Sequence, residues 1–191
     1  MGNTSNKRGF RPYSCIGGGT GVMPTWEGVL KSNQVAAVGD ALYATAGYLY
    51  GKTATTDVGI VGVMATKGYG TSDTIGSTTT AANLDDILFW PASDNIVFVG
   101  QASGQFAQTR IWTLCDIEGT PGNSTGYSSE EVNENATTNK NVWIVGYDEG
   151  STTNGSIGYY TDVLFTWAKN KFTCRGPVMF ANISTAQYGT Y

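Results

Sequence analysis

The sequence predicts an all-β protein: a single antiparallel β-barrel or β-sandwich domain with an extended N-terminal arm and a C-terminal tail. Short apolar stretches alternate with Gly, Pro, Asn and Ser clusters, as in chains built from many short strands. β-Branched and aromatic residues dominate those stretches. No window carries apolar residues at helical spacing over more than two turns. The 191 residues suffice for one domain with arms, since domains average about 150 residues.

Residues 1–34 are rich in glycine and show neither a helical nor a strand period. The cations Lys7, Arg8 and Arg11 come first, and a glycine run over residues 16–22 follows them. We expect this N-terminal arm to become ordered only against another surface. Its start lacks a secretory signal, and no apolar run approaches the roughly 20 residues that span a bilayer, so we expect a cytosolic product without a membrane partner.

The predicted body covers residues 35–170, and the tail, residues 171–191, is expected to be a strand or an extended end. Two segments of the body alternate clearly. Val163, Phe165 and Trp167 share one face of the first, and Trp143, Val145 and Tyr147 share one face of the second. The candidate strands are 35–45, 58–65, 87–90, 95–101, 106–115, 142–147, 161–168 and 172–182.

Two long stretches of the body, residues 66–84 and 116–141, are predicted to be loops. The second contains the acidic residues Glu130, Glu131 and Glu134. Loops of this length usually bind something or reach a neighbouring subunit.

The composition excludes many functions. The chain has no histidine, which removes Ser-His-Asp and Cys-His catalysis and histidine metal sites. Its net charge of -4 disfavours nucleic acid as a partner. The three cysteines show no C-x-x-C spacing. We therefore predict no catalytic residues, no metal and no cofactor.

Two glycine-rich segments resemble nucleotide-binding motifs only in part. Residues 47–53 end in Gly-Lys-Thr but have Ala46 where a phosphate loop needs its first glycine, so a turn between strands is the better interpretation. Residues 17–21 lack the last glycine of a dinucleotide fingerprint, because Val22 stands there.

A small acidic β-protein rich in Tyr, Trp and Gly also has the composition of a jelly-roll glycosidase, which needs two facing carboxyls. Glu27 follows an aromatic residue in the arm, and Glu118 lies in the predicted loop, but no glutamate falls in a candidate strand. The glycosidase is therefore a remote alternative. A calcium loop needs more oxygen ligands than are supplied by Asp116 with Glu118, or by Asp85 with Asp86. Solvated carboxylates are therefore the preferred interpretation of both pairs.

The five tryptophans favour packing in a core or a subunit interface, since four lie in candidate strands beside apolar neighbours. A platform for stacking on sugars is the alternative function. The interface candidates are Trp26, Trp90 and Trp143.

The arm also carries a family pattern. Asn6-Lys7-Arg8-Gly9-Phe10-Arg11-Pro12 resembles the Asn-Thr-Arg-Gly-Phe-Arg-Pro opening of the head decoration, or capsid-cementing, proteins of tailed bacteriophages. Further similarities follow in the same order along the chain, over roughly residues 6–172. They are Val38-Gly39-Asp40-Ala41-Leu42, the Gly-rich segment 58–63, the Pro-Ala-Ser segment 91–99, Gly155-Ser156-Ile157-Gly158 and Thr166-Trp167-Ala168-Lys169-Asn170. The loop at 116–141 and the tail do not match the family.

The resemblance implies a non-enzymatic protein that is made in the host cytoplasm and lies on the capsid exterior of the virion. It implies two kinds of partner. One is the major capsid protein, and the other is this chain itself, as a homotrimer. The arm would lie on the shell, where its cations steer docking and Phe10 anchors it. The expected capsid-binding residues are Lys7, Arg8, Phe10, Arg11 and Pro12. A fibre, spike or carbohydrate-binding virion protein remains the alternative.

Overall fold

The computed structural model describes residues 3–5, 7–16, 23–32, 34, 36–51, 59–67, 85–120 and 128–168. This part of the chain contains eleven β-strands, one short 3-10 turn at Gln108–Arg110 and no α-helix. The all-β prediction is confirmed. The predicted strand at 172–182 and the C-terminal tail lie outside the described residues.

The strands form two sheets. In chain order they are β1 (Arg11–Cys15), β2 (Trp26–Leu30), β3 (Ala41–Thr45), β4 (Tyr48–Gly51), β5 (Ile60–Lys67), β6 (Asp85–Pro91), β7 (Ile96–Gln101), β8 (Leu114–Glu118), β9 (Glu131–Asn133), β10 (Val142–Tyr147) and β11 (Asp162–Trp167).

The first sheet is a closed barrel in the order β2-β4-β3-β5-β6. Strand β2 closes it, pairing in parallel with β4 and antiparallel with β6. Leu42, Met64 and Ile87 are almost completely buried inside it, together with apolar side chains from the other strands.

The second sheet has the order β1-β7-β11-β10-β8-β9, and every pair in it is antiparallel. An isolated parallel bridge between Ala102 and Val132 brings its last strand back to the end of β7. The sheet therefore curls around its own buried face.

One apolar cluster joins the two sheets, so the chain forms a single body. Ile60 and Val63 of the barrel pack in the same cluster as Phe98 and Phe165 of the second sheet. The predicted alternation in β11 is confirmed, since Val163, Phe165 and Trp167 are all buried there.

Strand β10 has the predicted bounds but a different buried face. Val142 and Ile144 point into the core, and Trp143 between them is exposed. The register shifts between Ile144 and Gly146, and beyond this bulge Tyr147 packs against the core. A bulge of this kind re-aims the side chains that follow it, which a strict two-residue period does not anticipate.

The predicted arm is wrong for two segments, because β1 and β2 are strands of the two sheets. Strand β1 pairs with β7 of the same chain and so needs no other surface to order it. Because β1 is an edge strand with a bulge between Pro12 and Ser14, its sequence does not show a two-residue hydrophobic period.

Other boundaries also differ from the prediction. The proposed strand at 106–115 is instead a 3-10 turn followed by β8, and the proposed loop at 116–141 contains the end of β8 and all of β9. Of the segment 47–53 that was predicted as a turn, residues 48–51 form β4, and the turn before this strand lies at Ala46 and Gly47. Residues 52 and 53 lie outside the described residues. Of the loop at 66–84, residues 68–84 lie outside the described residues.

Candidate functional site

The segment before β1 lies on its own body. The side-chain amide of Asn3 donates to the Ser156 carbonyl at 2.6 Å. The Thr4 amide donates to Oδ1 of Asn154 at 2.9 Å, and the Thr4 carbonyl accepts from Nε2 of Gln101 at 3.2 Å. These contacts place the start of the chain against the connection between β10 and β11.

Phe10 is a core residue, so its side chain is not exposed here as an anchor for another surface. Its side chain is 1% exposed, and its ring centroid lies 5.3 Å from that of Phe165 and 5.5 Å from that of Trp167, edge to face. Its amide donates to the Gly39 carbonyl at 2.8 Å. An apolar ring adds more by filling this core than it would by lying on the surface.

The other predicted capsid-binding residues lie at or near the surface. Lys7 is half-exposed and forms an ion pair with Glu131. Arg8 and Arg11 are exposed, and Pro12 is half-buried within β1. Arg8 and Arg11 are therefore exposed cations, whereas the half-exposed Lys7 is already paired within the fold.

The acidic residues of the predicted loop at 116–141 are buried. Glu130, Glu131 and Glu134 are each at most 3% exposed. Oε2 of Glu130 accepts the Ala41 amide at 2.6 Å, which ties the start of β9 to the start of β3. The local sequence does not show such long-range partners, because a run of glutamates is typical of a solvent-exposed loop.

Glu131 stands directly opposite Glu118 in the pairing of β8 with β9. Burial raises the pKa of the Glu131 carboxyl, the Lys7 ammonium opposes that rise, and Glu118 and Glu134 add to it. Glu118 accepts a hydrogen bond from the Asn133 side chain at 2.5 Å. The carboxylates of this cluster are thus held mainly by contacts within the fold.

Asp116 organises the connection between β9 and β10. Its carboxylate accepts the backbone amides of Thr138, Asn139 and Lys140 at 3.1, 2.8 and 2.6 Å. These donors occupy the oxygens that a cation would need, and the expectation of a solvated carboxylate is wrong here.

The carboxyl residues considered for a metal or a glycosidase lie at separate places in the strands. Over the described ranges, no group of three or more Cys, Asp or Glu side chains could hold a metal ion. Glu27 is exposed on β2 of the barrel, whereas Glu118 ends β8 of the other sheet. Both lie in strands, so the expectation that no glutamate occupies a strand is wrong.

The tryptophans divide into buried and exposed sets. Trp167 is buried, and Trp90 is half-buried against the core. Trp26, Trp112 and Trp143 are 48%, 67% and 40% exposed. Two of the three predicted interface candidates are therefore accessible, and the most exposed tryptophan is one that sequence reasoning did not select.

Trp112 has a left-handed backbone conformation, with a φ of 67°. Its amide donates to the Ile144 carbonyl at 2.8 Å, and the Ile144 amide donates to the Thr113 carbonyl at 3.0 Å. Two residues thus oppose one, as in a β-bulge whose first, left-handed position normally belongs to glycine. Because a tryptophan stands there, the sequence offers no signal for this bulge.

The same bulge brings the backbone of Trp112 close to that of Trp143. Ile144, which exchanges hydrogen bonds with the bulge, follows Trp143 directly in β10. Trp143 is paired with Leu114 of β8 and with Thr166 of β11, both half-buried, so these side chains share one face of the sheet. We call these three residues, together with the neighbouring exposed Trp112 of the bulge, the tryptophan face.

Among the described residues, no helix is both long and apolar enough to cross a membrane. Comparison of the chain with family models, with curated proteins and with solved structures finds no match. The candidate site is therefore defined by its own geometry.

Proposed function

We propose that this chain is a structural virion protein that binds the outer surface of an assembled phage head and cements adjacent major capsid protein subunits as a homotrimer. One observation carries the proposal: Trp26, Trp112 and Trp143 are exposed on a body held by two sheets and one shared core. Tryptophan is enriched among the residues that dominate protein–protein binding energy. Contiguous apolar surface of this kind, as at Trp143 and the neighbouring Trp112, typically marks a binding surface.

The burial of Phe10 changes how docking is achieved. The resemblance to decoration proteins implies an arm with an aromatic anchor, but this anchor fills the chain's own core. We assign anchoring to the exposed tryptophans and electrostatic steering to Arg8 and Arg11. Charges at the edge of an interface mainly raise the rate of association, whereas a buried ring slows dissociation.

Trimer contacts are assigned to side chains instead of strand addition at β1. Pro12 lies in this edge strand and has no amide hydrogen to donate, and a bulge follows it. Both features protect sheet edges from pairing with another chain. Three modest footprints in one trimer would then give avidity of about a hundredfold or more.

The test is a binding assay with heads from the phage that encodes this chain, assembled without it. We expect saturable co-sedimentation of the purified protein and a higher thermal resistance of the decorated heads. Analytical ultracentrifugation should give a trimer. Heads that bind no protein and melt unchanged would overturn the proposal.

Exposed tryptophans also suit a fibre, spike or other virion protein that binds host carbohydrates, because an indole ring offers an apolar face and a polar edge. A glycan array separates the two functions. Saturable binding of one sugar class, together with no binding to heads, would favour the carbohydrate function.

A further inference from the structure

Trp112 is unfavourable where it stands, for two independent reasons. Its φ of 67° puts its Cβ close to the following carbonyl, a cost that glycine avoids. Its side chain is also 67% exposed, so packing in the core does not offset that cost. A strained residue that gains little from its own fold commonly serves a binding site.

The surroundings of Trp112 have the composition of an interface centre. Trp143 and Leu114 add apolar surface on the adjoining strands, and Thr166 adds a methyl group and a hydroxyl. Centres of protein interfaces are poor in charge and rich in aromatic residues. The tryptophan face fits this description. The nearby Asp116 carboxylate adds no exposed charge to it, because that side chain is buried and accepts hydrogen bonds from backbone amides.

The rim of the tryptophan face is cationic. Arg110 lies two residues before Trp112, and its guanidinium is held by Oδ1 of Asn135 at 2.9 Å. Lys140 is exposed, and its amide bonds to Asp116 two residues along β8 from Leu114. Two cations around an apolar centre complement a partner that is acidic at its rim and apolar in the middle.

Building on the proposed function, we infer that the tryptophan face is the surface through which this chain binds an acidic protein surface of the head shell, and that Trp112 is held in its strained bulge for this contact. Arginine and tryptophan together are the residue types most enriched at binding hot spots. A protein surface is therefore the partner to which this combination points.

The strain makes a sharp experiment possible. Trp112→Gly removes the ring and relaxes the backbone, so the melting temperature should stay equal to that of the wild type or rise. Binding to heads assembled without this protein should weaken by at least about tenfold, as for a hot-spot tryptophan. Trp112→Asn, whose side chain also tolerates the left-handed conformation, is the second variant in case the glycine variant folds poorly.

Tyr159→Ala is the matched control, because this aromatic residue is 61% exposed on the connection between β10 and β11. It should bind heads within about twofold of the wild type. Lys140→Glu should weaken binding and flatten its salt dependence, since it reverses a cation of the rim.

The outcomes separate the two proposals. Wild-type protein that binds no heads overturns the proposed function. Wild-type binding that Trp112→Gly leaves unchanged overturns only this inference. A folded Trp112→Gly variant that loses its oligomeric state would instead make the tryptophan face a self-interface, and loss of binding on a glycan array would make it a sugar site. Either of these results contradicts the assignment of a shell protein as the partner.

Discussion

Nζ of Lys7 lies 2.6 Å from Oε2 of Glu131, and this ion pair fastens the start of the chain to the short strand β9. The lysine is half-exposed, but the glutamate side chain is only 4% exposed and faces Glu118 across the strand pair. Lys7 therefore acts as the counterion of a carboxylate that burial disfavours. It is part of how this fold tolerates its acidic residues.

Replacing Lys7 by methionine should destabilise the protein more at neutral pH than in mild acid. Burial already raises the pKa of Glu131 above 4.5, and removing the ammonium that opposes this rise raises the pKa further. A raised pKa in the folded state contributes stability at low pH, and that contribution is lost as the pH increases through the folded-state value. We expect a loss of about 1 kcal/mol at pH 7, because the lysine is half-exposed, and a smaller loss near pH 4.5.

Urea unfolding at the two pH values measures this difference. Arg8→Met removes an exposed cation from the same segment and should change stability by less than about 0.5 kcal/mol at either pH. An equal loss at both pH values in the Lys7 variant would show that the pair does not control the ionisation of Glu131.

Phe10→Ala should lower the free energy of unfolding by about 3–5 kcal/mol, because it leaves a cavity beside Phe165 and Trp167. Tyr13→Ala, three residues further on and 47% exposed, should cost less than about 1 kcal/mol. Denaturant unfolding of both variants checks this. A stable Phe10 variant that fails to bind heads would restore the role of an anchor on the shell.

Gly9→Ala should be far more damaging than Gly47→Ala, although both glycines have a positive φ. A Cβ on Gly9 would overlap with Cβ of Ser128, whereas one on Gly47 would have nothing within 4 Å. The Gly47 variant should lose only about 1 kcal/mol of stability, which is the cost of placing a residue with a Cβ in the left-handed conformation. Thermal melts of the two should differ clearly, and equal melting temperatures would mean that the chain around Gly9 is free to move.

Asp116→Asn should loosen the connection that precedes β10. The carboxylate accepts three consecutive backbone amides, and an asparagine offers one neutral oxygen in their place. We expect a loss of about 2 kcal/mol, in the range for hydrogen bonds to charged groups. Hydrogen exchange of residues 138–140 should accelerate, whereas Asp86→Asn, at an exposed position, should leave it unchanged. Unaltered exchange in the Asp116 variant would argue against this role.

The sequence was informative where burial follows a local pattern. The two-residue period at Val163, Phe165 and Trp167 marks one buried face, and such a period needs no knowledge of the partner strands. The all-β class and the bounds of β10 were predictable for the same reason. Trp26 and Trp143 were selected as interface candidates because they are tryptophans, and both are exposed.

Only the tertiary structure decided the rest, because the deciding contacts join residues far apart in the chain. Glu130 is buried since its carboxylate meets the Ala41 amide, and Glu131 is tolerated since Lys7 reaches it. The strained position of Trp112 arises from a bulge against Ile144. In each case the local residue types predict a solvated or unremarkable position, and a distant partner supplies the charge or hydrogen bond that changes the outcome.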